Sequence, residues 1–142
     1  MASIRKMEER DIPVVHQYGI NEQRFTIRDR SFWTLEQLER WVRSPSDVLL
    51  VAENENKVIG YITNQLHIPT GKAVIENLYV DESYRGRFLG NKLIEESLQM
   101  LKQKGAEYIC ALVEPNNETI IKLLERKGFK KQKLFGWMDK VD

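Results

Sequence analysis

The chain has 142 residues, with 22 Lys and Arg against 21 Asp and Glu. This balance favours neither nucleic acid nor an anionic membrane as a partner, and no apolar run approaches the roughly 18 residues of a membrane span. Hydrophobic residues make up 42% of the chain, so we expect one soluble domain covering residues 1–142. The single cysteine, Cys110, excludes an internal disulfide and a thiolate metal cluster, and a reducing cytoplasm is the expected location.

The first third of the chain predicts one short strand and two helices. Pro13 fits the first helix only if it lies in the first turn. Thr34 and Gln37 have the spacing of a capping box, which marks the start of the second helix. The predicted elements are a strand at Ile4–Met7, a helix at Glu8–Tyr18 and a helix at Thr34–Arg43.

Three strands are predicted next, and short polar turns join them. Turns of this length and composition favour antiparallel hairpins. The predicted strands are Val48–Glu53, Lys57–Ile68 and Ala73–Val80.

The remainder of the chain alternates helices and strands. Apolar residues at helical spacing predict a helix that Gly105 can terminate. The predicted elements are a helix at Leu89–Lys104, a buried strand at Tyr108–Val113, a helix from Asn117 to Lys127 that ends at Gly128, and closing strands at Phe129–Phe135 and Trp137–Asp142. The whole order predicts an α/β fold with a mixed, largely antiparallel central sheet flanked by helices.

The stretch YRGRFLGN, residues 84–91, combines two arginines and two glycines at the start of a predicted helix. A helix start offers unpaired backbone N–H groups and the positive end of the helix dipole. The residues therefore permit an anion site at Gly86 to Asn91, while an ordinary strand-to-helix turn remains the alternative. The spacing fits neither a Walker loop nor G-x-G-x-x-G.

A second motif, N-x₁₀-G-F from Asn117 to Phe129, follows this loop. Together with ENLYVDESYRG, residues 76–86, the pair resembles the GNAT superfamily of acyl-CoA N-acyltransferases, whose pyrophosphate loop reads Q/R-x-x-G-x-G/A. The order of elements also matches that family's fold. Phe88 departs from the pattern because it stands at a glycine position of the loop.

The resemblance implies a site for coenzyme A. Backbone N–H groups of the loop would bind the pyrophosphate, and Phe88 could still donate if its φ is negative. The pantetheine arm would pair with the strand that precedes the loop. Asn117 resembles a family asparagine that contacts the coenzyme, although a plain helix N-cap is an equal alternative. The implied cofactor-binding residues are Leu78, Tyr79, Val80, Arg85, Gly86, Arg87, Phe88, Leu89, Gly90, Asn91 and Asn117.

Glu76 is the candidate catalytic base. Strand alternation would place Val74, Glu76, Leu78 and Val80 on one face, and a lone carboxylate on an apolar face has a raised pKa, which suits a base. A solvated position or an arginine partner is the alternative. The family's usual proton-donating tyrosine falls at Leu124, so Tyr79, Tyr84 and Tyr108 are candidate donors by residue type alone. Tyr79 is the donor retained as a catalytic candidate.

The resemblance implies an N-acetyltransferase that moves acetyl from acetyl-CoA to a primary amine by direct attack. It implies no metal. The acceptor is either a protein amine, at an N-terminus or a lysine, or a small amine. The alternative is a catalytically weak acyl-CoA-binding sensor or interaction domain, for which Phe88 and Leu124 are the evidence. The sequence leaves a monomer and a homodimer both open.

Overall fold

A central sheet organises the first of two compact units, Met1–Leu112 and Val113–Asp142, in the computed structural model. The structure describes residues 2–25, 32–86 and 88–140. In these ranges the first unit contains β1 (Ser3–Lys6), α1 (Ile12–Ile20), α2 (Leu35–Val42), β2 (Val48–Asn54), β3 (Lys57–His67), β4 (Lys72–Val80), α3 (Leu89–Gln103) and β5 (Tyr108–Ala111). The second unit contains α4 (Glu118–Glu125). Short 3-10 turns lie at Glu9–Asp11, Gln23–Phe25 and Glu82–Tyr84.

The strands lie in the sheet in chain order, β1-β2-β3-β4-β5. The first four pair antiparallel, and β4 pairs parallel with β5. A parallel pair needs a crossover connection, which α3 provides. The mixed, largely antiparallel sheet flanked by helices that the sequence predicts is therefore confirmed.

Helices cover both faces of the sheet. Leu38 of α2 and Val15 of α1 belong to the same hydrophobic cluster as Val51 and Tyr61 of the sheet, and all four are fully buried. On the other face α3 contacts β2, β3 and β4. Along each central strand, successive side chains therefore alternate between the face covered by α1 and α2 and the face covered by α3.

The local signals at the helix starts are confirmed. The Thr34 hydroxyl accepts the Gln37 backbone N–H at 3.1 Å, and the Gln37 side-chain oxygen accepts the Thr34 N–H at 2.9 Å. Two otherwise unpaired donors are satisfied in this way. Pro13 lies in the first turn of α1, where its missing N–H costs no hydrogen bond.

The prediction that the strand at Tyr108–Val113 is buried is wrong. β5 ends at Ala111, and Tyr108 and Leu112 are more than half exposed. The physical reason is its place at the end of the sheet, where it pairs with β4 alone among the described residues. An apolar run of this length predicts a strand, but it does not distinguish a central strand from an edge strand.

The second unit consists of α4 and an irregular segment. Asn117 caps α4, and Gly128 has a φ of +92° after it, as a terminating glycine requires. The predicted closing strands are wrong, because residues 129–140 contain no strand. Apolar side chains alone do not make a strand, since a strand also needs an edge to pair with. Those of this segment are largely exposed: Leu134, Phe135, Trp137 and Met138. One domain over the whole chain stays a prediction.

Within the described ranges, no helix is both long enough and apolar enough to cross a membrane.

Candidate active site

An extra residue interrupts β4 at Glu76. Thr63 of β3 lies opposite Asn77, and the next residue, Asn64, lies opposite Ile75. Glu76 therefore has no counterpart on β3 and forms a β-bulge. Bulges bend a strand and re-aim a side chain, and they are frequent next to active sites.

The bulge changes which side chains share a face of β4. The sequence predicts one common face for Val74, Glu76, Leu78 and Val80, and this is wrong. Val74 lies opposite Gln65 and Leu78 lies opposite Ile62. Because one residue is added between them, Val74 falls on the α1/α2 face and Leu78 on the α3 face.

Glu76 is a half-buried carboxylate that receives no hydrogen bond or ion pair from the residues the structure describes. Burial raises its pKa above the ordinary glutamate value, because a carboxylate loses solvation when water is excluded. The raised pKa expected from the sequence is confirmed in direction. A raised pKa makes the carboxylate a stronger proton acceptor, as a catalytic base requires.

Beyond Glu76, one edge of β4 is open. β5 pairs only with Lys72–Ile75, so among the described residues no strand continues beside Leu78 and Val80. Antiparallel pairing alternates the direction of successive backbone groups. The Asp81 N–H donates to the Ile59 carbonyl of β3 at 2.7 Å, which directs the Tyr79 backbone to β3 as well. The N–H and C=O groups of Leu78 and Val80 therefore point to the open edge.

This alternation leaves two of the three predicted backbone contacts on β4 available to a ligand. Among the described residues no group pairs with the Leu78 and Val80 N–H donors at the open edge, whereas the Tyr79 N–H belongs to the β3 ladder. The Val80 carbonyl accepts a hydrogen bond from Arg85 Nε at 2.8 Å, which shows that it points away from β3.

The Tyr79 side chain lies on the α1/α2 face, in a group of rings. Its centroid is 4.8 Å from the Tyr18 ring and 5.8 Å from the Tyr61 ring, and the Arg85 guanidinium carbon lies 5.6 Å from it. Burial raises the pKa of the Tyr79 phenol, and the charge of Arg85 partly opposes this rise. The phenol is therefore protonated at neutral pH and can act as a proton donor.

A cleft of about 390 Å³ opens beside Tyr79. Its walls come from the end of α1, from β4 and from the turn that follows β4. The lining residues are Asn21, Glu22, Tyr79, Asp81, Glu82, Ser83 and Arg85. Asp81 also accepts the Tyr18 hydroxyl hydrogen at 3.0 Å, which ties α1 to the end of β4. The cleft therefore lies on the α1/α2 side of the open edge.

The loop before α3 adopts left-handed backbone at two described positions. Gly86 has a φ of +79° and Phe88 a φ of +62°. The negative φ named above as the condition for donation by Phe88 is therefore not met. Glycine adopts this conformation without strain, whereas Phe88 accepts a strain of about 1–2 kcal/mol to do so.

The conformation of Phe88 favours an anion site. A left-handed residue followed by right-handed Leu89 forms a nest, in which successive N–H groups converge on one point. The first bond of α3 runs from the Lys92 N–H to the Phe88 carbonyl at 3.0 Å. The N–H groups of Leu89, Gly90 and Asn91 precede that bond and have no partner within the helix. The helix start can therefore bind a phosphate.

Three other loop residues were predicted to bind the coenzyme, and each has a different outcome. Arg85 does not extend to the helix start but folds back onto Val80 and Tyr79. The Asn91 side chain donates to Glu95 at 3.2 Å, which leaves its backbone N–H as the group available to a ligand. Arg87 lies outside the described residues.

Two residues of the second unit concern the predicted coenzyme contact and the missing proton donor. The Asn117 side chain accepts the Ile120 N–H at 3.3 Å, so the N-cap interpretation is confirmed and the coenzyme contact stays a prediction. Leu124 is buried, with 5% of its surface exposed, and it carries no proton to donate.

One candidate donor lies at the wrong end of the sheet. Tyr108 pairs with Lys72 at the start of β4, roughly 20 Å along the strand from Leu78. Its residue type suggested a donor, but its place in the register separates it from the open edge.

Two residues of this site were missed by the sequence reasoning. Thr63 and Asn77 form a side-chain clasp across the bulge, in which the Thr63 hydroxyl accepts the Asn77 N–H and donates to Asn77 Oδ1, both at 3.2 Å. The available signal was a polar run, Thr63-Asn64-Gln65, in the interior of a predicted strand.

No group of three or more His, Cys, Asp or Glu side chains that could hold a metal ion occurs in the part of the chain that the structure describes.

Comparison with known proteins agrees with the fold. A family model described as "Acetyltransferase (GNAT) family" matches residues 14–129. The mycothiol acetyltransferase of Corynebacterium aurimucosum is 33% identical over 109 residues, which are 68% of this chain and 36% of that protein. N-alpha-acetyltransferase 30 of Schizosaccharomyces pombe is 27% identical over 122 residues, covering 83% of this chain and 81% of that protein.

Solved structures show the same fold. The PaiA N-acetyltransferase from Thermoplasma acidophilum, solved in complex with coenzyme A, superposes with a TM-score of 0.82 at 22% identity, covering 96% of this chain and 94% of that chain. Coverage differs among the curated relatives, because the chain spans about a third of the mycothiol acetyltransferase (36%) but most of N-alpha-acetyltransferase 30 (81%).

Proposed function

The chain belongs to the acetyltransferase (GNAT) family, and on that premise we propose that it transfers an acetyl group from acetyl-CoA to a primary amine by direct attack. One observation carries the proposal. An unpaired carboxylate at Glu76, free N–H groups at Leu78 and Val80, and the helix-start nest follow one another along a single stretch of chain. That order matches the three needs of the reaction: a base, an oxyanion donor and a phosphate site.

The described residues fit coenzyme A as a substrate. The nest at Phe88 and Leu89 and the N–H groups at the start of α3 suit a pyrophosphate. The open edge of β4 suits the amide groups of an extended pantetheine arm, which can pair with backbone in the manner of an added strand. The Arg85 contact with the Val80 carbonyl occupies part of that edge, so the N–H donors of Leu78 and Val80 are the groups we assign to the arm and the thioester.

The chemistry follows from these placements. Glu76 takes a proton from the acceptor's ammonium group, and the neutral amine attacks the thioester carbonyl carbon. A C–N bond forms, and an N–H group of the open edge stabilises the oxyanion. Collapse of the tetrahedral intermediate breaks the C–S bond. The departing thiolate takes a proton, for which we propose the Tyr79 phenol as donor. The nitrogen of the new amide gives up its second proton, which restores the phenol, and Glu76 releases the first proton to water.

The acceptor is an amine of a protein or of a small molecule. Related proteins are named for both kinds, since one is a mycothiol acetyltransferase and another an N-alpha-acetyltransferase. The cleft beside Tyr79 lies on the α1/α2 side of β4, and we propose that the acceptor approaches from that side.

Calorimetric titration of the full chain with acetyl-CoA tests the coenzyme site, with ATP and NAD as controls. We expect micromolar binding of acetyl-CoA and no comparable binding of the controls. Release of free thiol from acetyl-CoA in the presence of an amine panel then tests transfer. Absence of acetyl-CoA binding would refute the proposal.

A coenzyme-binding domain with weak turnover is the second candidate. The observation that favours it is Leu124, which stands where the family carries a proton-donating tyrosine and is buried. Acetyl-CoA binding without thiol release across a broad amine panel would support this candidate over the first.

A further inference from the structure

We propose that Asn77 is a specificity-determining residue, whose side-chain NH₂ group binds a carbonyl oxygen next to the amino group of the acceptor. The inference rests on the proposed function and names a substrate class within it. The preferred acceptors are α-amino amides, including peptide N-termini, over simple alkyl amines and polyamines.

The Thr63 hydroxyl fixes the orientation of the Asn77 amide. Thr63 is fully buried. Its oxygen accepts the Asn77 backbone N–H at 3.2 Å, so its own hydrogen is free to donate, and Asn77 Oδ1 lies 3.2 Å away. In the structure the amide atom that faces Thr63 is Oδ1, which can accept this hydrogen. Nδ2 therefore faces the other way.

Asn77 Nδ2 is a donor without a partner among the described residues. Asn77 is half-buried, and it lies on the α1/α2 face, because it is directly opposite Thr63. Tyr79, two residues on, shares that face and lines the cleft. The opposite face of β4 is directed to α3, so the α1/α2 side is the one that leaves room for a substrate.

The proposed base is the residue that immediately precedes this donor in the chain. Glu76 and Asn77 are consecutive, with Cα atoms about 3.8 Å apart, and the bulge frees the Glu76 side chain from strict alternation. An amine held at Glu76 therefore places its adjacent atoms near Asn77. An NH₂ group can pair only with an acceptor atom. A carbonyl oxygen provides one, whereas a protonated polyamine presents only donors.

Thr63 is a positioning residue in this arrangement. Removing its hydroxyl leaves Oδ1 and Nδ2 of Asn77 free to exchange places, and half of the resulting orientations present an acceptor to the substrate's oxygen. Thr63→Ser keeps the hydroxyl and Thr63→Val removes it with little change of shape, so the two form a matched pair.

Binding of two small probes tests the inference without requiring turnover. Glycinamide carries the carbonyl and ethylamine lacks it. Each is titrated into the isotope-labelled full chain in the presence of free coenzyme A, which has no acetyl group to transfer, and Kd is read from backbone amide shifts. Asn77→Asp replaces the donor by an acceptor but keeps an oxygen for Thr63. We expect it to weaken glycinamide binding about 10-fold, the size of one lost hydrogen bond, and to leave ethylamine binding unweakened.

The Thr63 pair gives an independent readout. Thr63→Val should weaken glycinamide binding about twofold, because half of the Asn77 orientations still present Nδ2, while Thr63→Ser should leave the Kd unchanged. Thermal melts exclude unfolding as the cause. The inference is overturned if glycinamide binds no tighter than ethylamine, or if Asn77→Asp leaves its Kd unchanged. A separate coenzyme A titration reports on the proposed function, so failure of the one is distinguishable from failure of the other.

Discussion

Replacing Gly60 by alanine tests whether the close approach of β3 and β4 sets the open edge. Gly60 lies opposite Val80. A Cβ atom added to Gly60 would lie 2.8 Å from the Tyr79 carbonyl oxygen and 3.4 Å from Val80 Cα. Ordinary contacts begin near 3.4 Å, so β4 has to move by about 0.6 Å at the residues that present the oxyanion donors.

This displacement has two measurable consequences. Overpacking at a buried position costs about 1–3 kcal/mol of the free energy of unfolding, which urea denaturation measures. A misplacement of about 1 Å can lower kcat 100-fold, so a shift of about 0.6 Å should lower it roughly 10-fold. Steady-state release of free thiol from acetyl-CoA measures this.

Gly136→Ala is the matched control, because a Cβ atom there meets nothing within 4 Å. Its free energy of unfolding should stay within about 0.5 kcal/mol of the unmodified chain, with kcat unchanged. If Gly60→Ala behaved like this control, the close approach of the strands would not set the site. If Gly60→Ala lost stability but kept kcat, the oxyanion donors would have to be sought away from Leu78 and Val80.

Three further predictions concern positions where the chain departs from its family or carries a perturbed group. Phe88→Gly should tighten acetyl-CoA binding in calorimetry because it removes a side chain beside the nest, and weaker binding would show that the ring contributes to the site. Burial raises the pKa of Glu76 above its unfolded value. The protonated side chain therefore contributes to stability below the unfolded pKa, and this contribution is lost as pH rises through the folded pKa. Glu76→Gln should therefore become more stable than the unmodified chain as pH rises above about 4.3, the ordinary glutamate pKa, as measured by urea denaturation. It should also abolish the acid limb of the pH–rate profile, and an unaltered profile would remove Glu76 as the base. Leu124→Tyr should raise turnover if thiolate departure is limiting, at a stability cost of about 1–3 kcal/mol because the position is buried, and unchanged turnover would show that another donor suffices.

Much of the fold was predictable from short-range signals. The capping box at Thr34 and Gln37 depends on residues three apart, and the polar turns between β2, β3 and β4 depend on a few consecutive residues. Such signals are written in the sequence because the interactions that cause them are local. The glycine that terminates α3, Gly105 with a φ of +101°, is another local signal of this kind.

The site was less predictable because its geometry depends on pairing between distant residues. The bulge at Glu76 follows from the register of β4 against β3, and the pattern of β4 alone reads as regular alternation. The Thr63–Asn77 clasp likewise joins residues 14 apart. The left-handed conformation of Phe88 contradicts the preference of its own side chain, and the preference for a glycine at that place came only from the family motif. The sequence therefore names the loop residues but does not predict their backbone conformations.

Because the proposed base is the extra residue of the bulge, it could be deleted without changing the pairing of the remaining residues of β4. Glu76 is the one residue of β4 without a counterpart on β3 between Lys72 and Val80, so a deletion of its single codon would leave a regular ladder. Ile75 and Asn77 would stay on the faces they occupy now, because the residue lost is the one that broke their alternation. The phosphate nest and the Thr63–Asn77 pair would also remain. One in-frame deletion is thus a short evolutionary path from a transferase to a protein that only binds the coenzyme, and chains of this family that lack the extra residue would be the ones in which to look for that outcome.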